Sequence, residues 1–266
     1  MLLLLSPAKT LDYESPLPQG IKDLRPQSPI FTDRTSTLVK HLKKLSVSEL
    51  SDLMSLSEKL AELNVKRFHD WRATDTLENS RPSIFAFNGD VYDGLAAKSL
   101  KKTDLAWLES HLVILSGLYG VLKPLDALQP YRLEMGTTLK VAKSRNLYDF
   151  WGPRIAQYLN TRLDEEDSRV VVNLASQEYY KSVDLKTLRA QVIECVFEDE
   201  KNGRHKVISF FAKKARGLMV RFAALQRIKT PEALKNFDLE GYAFEPKSSS
   251  AERYVFRRAE AYSQGL

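Results

Sequence analysis

"LLLLSPAKT", residues Leu2–Thr10, is the stretch on which the fold turns. Four consecutive leucines without a polar break read as a strand buried on both faces, as in a parallel sheet covered by helices. The run is too short to span a membrane. It also lacks the basic flank and small-residue cleavage site of a signal peptide. Similar apolar runs recur: "IFAFNG" (Ile84–Gly89), "LVILSG" (Leu112–Gly117), "VVVNLAS" (Val170–Ser176), "QVIECVF" (Gln191–Phe197) and "VISFFA" (Val207–Ala212). Each predicts a strand, and "GYAFE" with "RYVFRR" (Gly241–Glu245 and Arg253–Arg258) predicts a closing hairpin.

Helical patterns fill the gaps. "SVSELSDLMSLSEKLAEL" opens with Ser46 and Glu49 at capping-box spacing, and Leu50, Leu53, Met54, Leu60 and Leu63 fit one face. "TDLAWLESHL" begins with a capping Thr103 or Asp104. In "NLYDFWGPRIAQYL" an apolar face from Leu147 to Leu159 is interrupted at Gly152-Pro153. Pro16, Pro18, Pro26 and Pro29, with Pro7 upstream, predict an extended surface segment near residues 14–34. Strands interleaved with helices predict an α/β fold: a single mixed α/β domain with a central sheet, spanning 1–266. The strand order does not follow from the pattern.

Charge is unevenly spread. The formal net charge is +6, yet Lys201–Lys229 holds nine Lys and Arg and no acidic residue, which leaves 31 basic against 34 acidic residues elsewhere. The whole basic excess therefore lies in one segment, and it favours an acidic partner. Within it runs "FFAKKARGLMVRF" (Phe210–Phe222). A helix from Lys213 to about Gln226 would set Ala215, Leu218, Met219, Phe222 and Leu225 on one face and Lys213, Lys214, Arg216, Arg221 and Arg227 on the other. A solvated basic face is one reading. The other is a bound anion, because lysines in a first helical turn oppose the helix dipole and no acidic residue nearby in sequence offsets them. Gly217 inside this helix permits close approach of a backbone, the protein's own or a ligand's.

The apolar runs end in polar groups. In an open parallel sheet such ends line the ligand crevice, so Lys9, Tyr92, Tyr119, Lys181 and Lys213 are expected to converge. Ordinary strand-to-loop transitions would look similar. "LSGLYGVLKPLDALQPYRLEMG" (Leu115–Gly136) has Gly117 and Gly120 in an apolar frame, which fits either a helix-hairpin-helix phosphate grip or a Gly-rich turn. Arg132 and Glu134 in the same block either pair or line the crevice. The four histidines, His41, His69, His111 and His205, have no ligand-like spacing, so neither a metal nor a cofactor is expected. No nucleotide-loop or nucleophile-elbow motif occurs. The lone Cys195 sits in an apolar run as a buried, inert thiol.

Together, "SPAKTLDY", "FNGDVYDGL", "LSGLYGVLKPLDALQPYRLEMG", "YDFWG", "NLASQEYYKSV", "ISFFAKKARGLMVRF" and the "EGY" of Phe237–Tyr242 resemble the signature blocks of the bacterial peroxide-stress resistance protein YaaA family, across nearly the whole chain. Asn88 stands where a relative in that family carries a lysine, which removes one possible cationic contact. The resemblance implies a cytoplasmic protein of the hydrogen peroxide stress response that limits intracellular iron and Fenton damage. It also implies a positively charged cleft, a helix-hairpin-helix-like element, and binding to duplex or branched DNA. The expected DNA- or phosphate-binding residues are Lys9, Gly117, Gly120, Lys123, Lys181, Lys213, Lys214, Arg216 and Arg221. The expected polar lining is Ser6, Asp90, Tyr92, Tyr119, Tyr131, Arg132, Glu134, Asn173, Ser176 and Tyr179. That density of polar groups also supports an alternative, an enzyme acting on a small phosphorylated or nucleotide-like substrate in a basic cleft.

Overall fold

The structure, a computed structural model, describes residues 1–21, 24–25 and 27–263; Pro26 lies outside the described residues. Twelve strands occur among these: β1 (Leu2–Leu5), β2 (Thr10–Leu11), β3 (Arg81–Pro82), β4 (Phe87–Asn88), β5 (Leu112–Ser116), β6 (Gly120–Leu122), β7 (Ala127–Leu128), β8 (Val170–Leu174), β9 (Gln191–Lys201), β10 (Arg204–Lys206), β11 (Tyr242–Phe244) and β12 (Arg253–Arg258). Eight of them form one sheet in the order β11-β12-β9-β8-β1-β5-β6, with β10 paired to β9. The five strands β12, β9, β8, β1 and β5 are parallel, and β6, β10 and β11 are antiparallel additions. The fold is thus mixed α/β around a mostly parallel sheet.

The leucine run forms β1 inside that sheet. All four leucines have no exposure, so both faces are covered, as an unbroken apolar run requires. The chain steps from β1 to β5 on one side, then returns to β8 and β9 on the other. The direction of winding therefore reverses between β8 and β1. Leu5 pairs with Leu174 in register, so the two strands end level with each other.

Two expected strands are corrected. Ile84–Gly89 forms a helical turn over Ser83–Ala86 and only the two-residue β4, which pairs with β2 beside the main sheet. Val207–Ala212 is not a strand. The helix begins at Ser209 and runs to Gln226, leaving Val207 and Phe210 exposed. The hairpin that follows β9 is instead closed by β10, joined through Asn202-Gly203, both at positive φ as a tight hairpin turn demands.

The 46–63 pattern divides into helices Val47–Met54 and Glu58–Asp70, broken where Ser55 adopts a left-handed conformation. The Ser46–Glu49 capping box forms, whereas Leu60 and Leu63 are exposed rather than on a shared buried face. The break at Gly152-Pro153 separates helices Leu147–Trp151 and Arg154–Glu165. No helix among the described residues is long and apolar enough to cross a membrane.

Candidate functional site

The level ends of β1 and β8 open into a cleft of about 490 Å³. Its floor is made by Ser6 and Ser176, which adjoin because their strands are neighbours. The Ser176 N–H donates to Ser6 Oγ at 2.8 Å, and the Ser6 carbonyl accepts from the Tyr92 hydroxyl at 3.1 Å. One wall carries Lys9 and Glu134, paired at 2.7 Å; Arg132 shares the same carboxylate at 3.2 Å. Arg132 and Glu134 therefore pair with each other, and Glu134 also lines the crevice.

The opposite wall comes from two crossing helices. Asp90 opens the short helix Asp90–Leu95, and Lys213 and Arg216 lie on Ser209–Gln226. Lys213 approaches Asp90 at 3.7 Å. The crossing is backbone against backbone. A Cβ on Gly217 would collide with the Val91 carbonyl, and one on Gly94 with the Lys214 carbonyl. The backbone that Gly217 admits is thus the protein's own. Glu178 and Tyr179 complete the lining, with Glu178 Oε1 accepting from the Gly136 N–H at 2.9 Å. Burial raises the hydroxyl pKa of both Tyr92 and Tyr179, so each is a neutral phenol.

The lining holds three cations, Lys9, Lys213 and Arg216, and three carboxylates, Asp90, Glu134 and Glu178. The expected positive cleft is, in its own lining, charge-balanced. Arg216 has its Nε buried without a hydrogen-bond partner; burial lowers its pKa, and the Glu194 carboxylate nearby works against that shift.

The basic segment is distributed rather than gathered. Because the helix starts at Ser209, Lys213 and Lys214 fall beyond its first turn, and the expected conflict with the helix dipole does not arise. The acidic partners come from elsewhere in the chain. Lys213 meets Asp90, and Lys214 meets Glu240 at 2.7 Å. Arg221 donates to the carbonyls of Leu95 and Ala96, closing the end of the short helix, and to Ser99 Oγ.

Other expected residues lie away from the cleft. Lys123 pairs with Glu109 at 3.0 Å. Lys181 sits 5.2 Å over the Tyr148 ring. Tyr119 accepts from Trp71 Nε1, Tyr131 bonds Ser116 Oγ, and the Asn173 side chain accepts from its own strand end at Ala175. The Gly117–Gly120 turn joins β5 to β6, two strands rather than two helices, so it is a Gly-rich β-turn and not a helix-hairpin-helix. Both glycines are enclosed. The Gly117 carbonyl accepts from Trp151 Nε1 at 3.0 Å, and a Cβ on Gly120 would come within 2.7 Å of the Trp151 ring. Of the five side chains expected to converge, Lys9 and Lys213 do so, and Tyr92 touches the floor from beneath.

Sequence reasoning missed Glu178 and did not place Asn88, which also lines the cleft. The signal for Glu178 was its position two residues after Ser176, inside a strand-end block already singled out. Among the described residues, no group of three or more His, Cys, Asp or Glu is arranged to hold a metal ion. Cys195 is buried, and burial pushes its thiol pKa up to about 12.

The peroxide stress protein YaaA family matches residues 1–248. This chain belongs to that family. It is 55% identical to the UPF0246 protein of Bordetella avium over 258 residues, covering 97% of this chain and 99% of the relative. It is 54% identical to that of Variovorax paradoxus with the same coverage, and 56% identical to that of Delftia acidovorans over 98% of this chain and the whole of the relative.

Proposed function

We propose that this chain serves the peroxide stress response by holding a small phosphate-bearing ligand in the cleft between the ends of β1 and β8. One observation carries the reading: the cleft lies where the sheet's winding reverses, the place at which open α/β sheets bind ligands. Arg216, with its unpartnered Nε, supplies a fixed cation there, and Lys213 and Lys9 flank it. Asp90 or Glu134 would provide acid–base chemistry, which would make the protein an enzyme acting on a phosphorylated or nucleotide-like substrate. Calorimetric titration with inorganic phosphate tests this. Arg216→Gln and Lys213→Gln should each weaken binding severalfold to tenfold, as loss of a charge-assisted contact does. Binding unchanged in both variants would sink the reading.

Duplex or branched DNA is a second reading, favoured by a different feature. The β9–β10 hairpin exposes Lys201, Arg204 and Lys206, and Lys201 stands directly opposite Arg204. Like charges facing across a hairpin repel unless an anion bridges them. Phosphate-backbone binding should weaken steeply with salt and fall similarly for all sequences when Lys201 and Arg204 are reversed in charge. Affinity that is flat across a salt titration would eliminate it. Under either reading, a limit on intracellular iron and a cytoplasmic location form part of the proposal, with the iron effect indirect.

A further inference from the structure

The charge balance of the cleft constrains what can enter it. Lys9 is already held by Glu134, and Lys213 stands by Asp90, so a phosphate approaching Arg216 and Lys213 also meets the Asp90 carboxylate. An anion beside an ionised carboxylate is repelled, and in a concave site the repulsion is screened less than on an open surface. The repulsion is offset if the ligand brings its own hydrogen-bond donors to the carboxylate, because an ionised carboxylate only accepts. The other lining carboxylates are already engaged: Glu134 by Lys9 and Arg132, and Glu178 by the Gly136 N–H. Asp90 differs. Its one side-chain partner among the described residues is the Lys213 ammonium at 3.7 Å, beyond hydrogen-bond distance.

We propose that the ligand of this cleft is a phosphorylated sugar with free hydroxyls, ribonucleotides included, with its phosphate against Arg216 and Lys213 and a hydroxyl donating to Asp90. This rests on the reading of the cleft as a phosphate site. Inorganic phosphate can turn to Asp90 only a P–OH of the same centre that must face Arg216 and Lys213, and a DNA phosphodiester has no such donor. A sugar hydroxyl a few bonds from its phosphate supplies donor and anion together. Acidic side chains beside phosphate sites at strand ends read ribose hydroxyls by the same chemistry. The floor hydroxyls of Ser6 and Ser176 lie alongside, at the level of the same strand ends.

The test is calorimetry with three probes, orthophosphate, ribose 5-phosphate and adenosine 5′-monophosphate, on the wild-type chain and on Asp90→Asn, Arg216→Gln and Lys213→Gln. Thermal melts check that each variant folds, and Asp90 and Lys213, being partly exposed, are the variants least prone to unfold. Wild type should bind both sugar phosphates about tenfold or more tighter than orthophosphate. Asp90→Asn should abolish most of that preference and tighten orthophosphate binding, because the repelling carboxylate is gone. Equal affinity for all three probes overturns the sugar inference while sparing the cleft. So does an Asp90→Asn loss that is the same for every probe. Orthophosphate binding that survives both Arg216→Gln and Lys213→Gln unchanged overturns the cleft reading itself, as does a wild type that binds no probe.

Discussion

Lys213 and Lys214 are neighbours in the chain, yet their ammonium groups enter two clusters of opposite character. Lys213 stands beside Asp90 on one wall of the open cleft, with its side chain about half exposed. Lys214 meets Glu240, which reaches Arg258 at 3.5 Å; Arg258 Nε donates to Asp199 at 2.6 Å, and the Tyr242 hydroxyl donates to the same carboxylate. Arg258 and Asp199 are both 1% exposed, and Arg258 also lies over the rings of Phe211 and Tyr242. Both clusters balance their charges. One is dry at its Arg258–Asp199 centre, and the other is wet, with Lys213 half exposed. Burial, rather than residue type, separates a structural ion network from a candidate ligand site.

The sharpest way to break this contrast is to remove one member of the dry cluster. Arg258→Gln should cost about 3–5 kcal/mol in urea unfolding, because Asp199 is left buried without its cation. A loss below about 1 kcal/mol would erase the distinction between the clusters. Gly217→Ala comes next. The methyl would push the long helix off the Val91 carbonyl, costing about 1–3 kcal/mol or more in unfolding experiments, and would widen the cleft by moving Lys213 away from Asp90.

A third test uses pH. Burial lifts the Asp126 carboxyl, whose Oδ2 accepts from the Lys123 N–H, to about 7. The folded state therefore holds a proton that the unfolded state has released between about pH 4 and 7, so wild type should lose stability relative to Asp126→Asn as pH rises through that window. The difference should reach on the order of 4 kcal/mol and be flat above it, measured by denaturation at stepped pH. Parallel profiles would refute the shift. The smallest effect belongs to the wet cluster: Lys9→Ala should change stability by less than about 1 kcal/mol, since its pair with Glu134 is largely exposed on the lysine side.

The same contrast explains what was legible in the sequence. The strand runs at Leu2, Leu112, Val170 and Gln191 were readable because burial on both faces leaves an unbroken apolar pattern. "VISFFA" has that pattern too, and a single sequence does not distinguish a short apolar strand from the first turn of a helix. Ser6, Lys9, Asp90, Glu134, Ser176, Tyr179, Lys213 and Arg216 were selected as strand-end or basic-segment residues and do meet in one cleft. Their counter-charges were not legible. Asp90 is 123 residues from Lys213, and Glu240 lies in a later segment, so a segment rich in cations looked unpaired when the fold pairs it at long range. Gly117 and Gly120 failed for a related reason: a glycine that admits a tryptophan ring and one that admits a phosphate look alike in a sequence.

Cys195 gives the family's oxidant a different standing. Hydrogen peroxide attacks thiolates, and a thiol held near 12 in an apolar strand is protonated and out of reach at neutral pH. A buried, protonated thiol forms a sulfenate slowly, and the chain has no second cysteine to resolve one. Whatever this family does under peroxide, the thiol of Cys195 is poorly placed to take part in it.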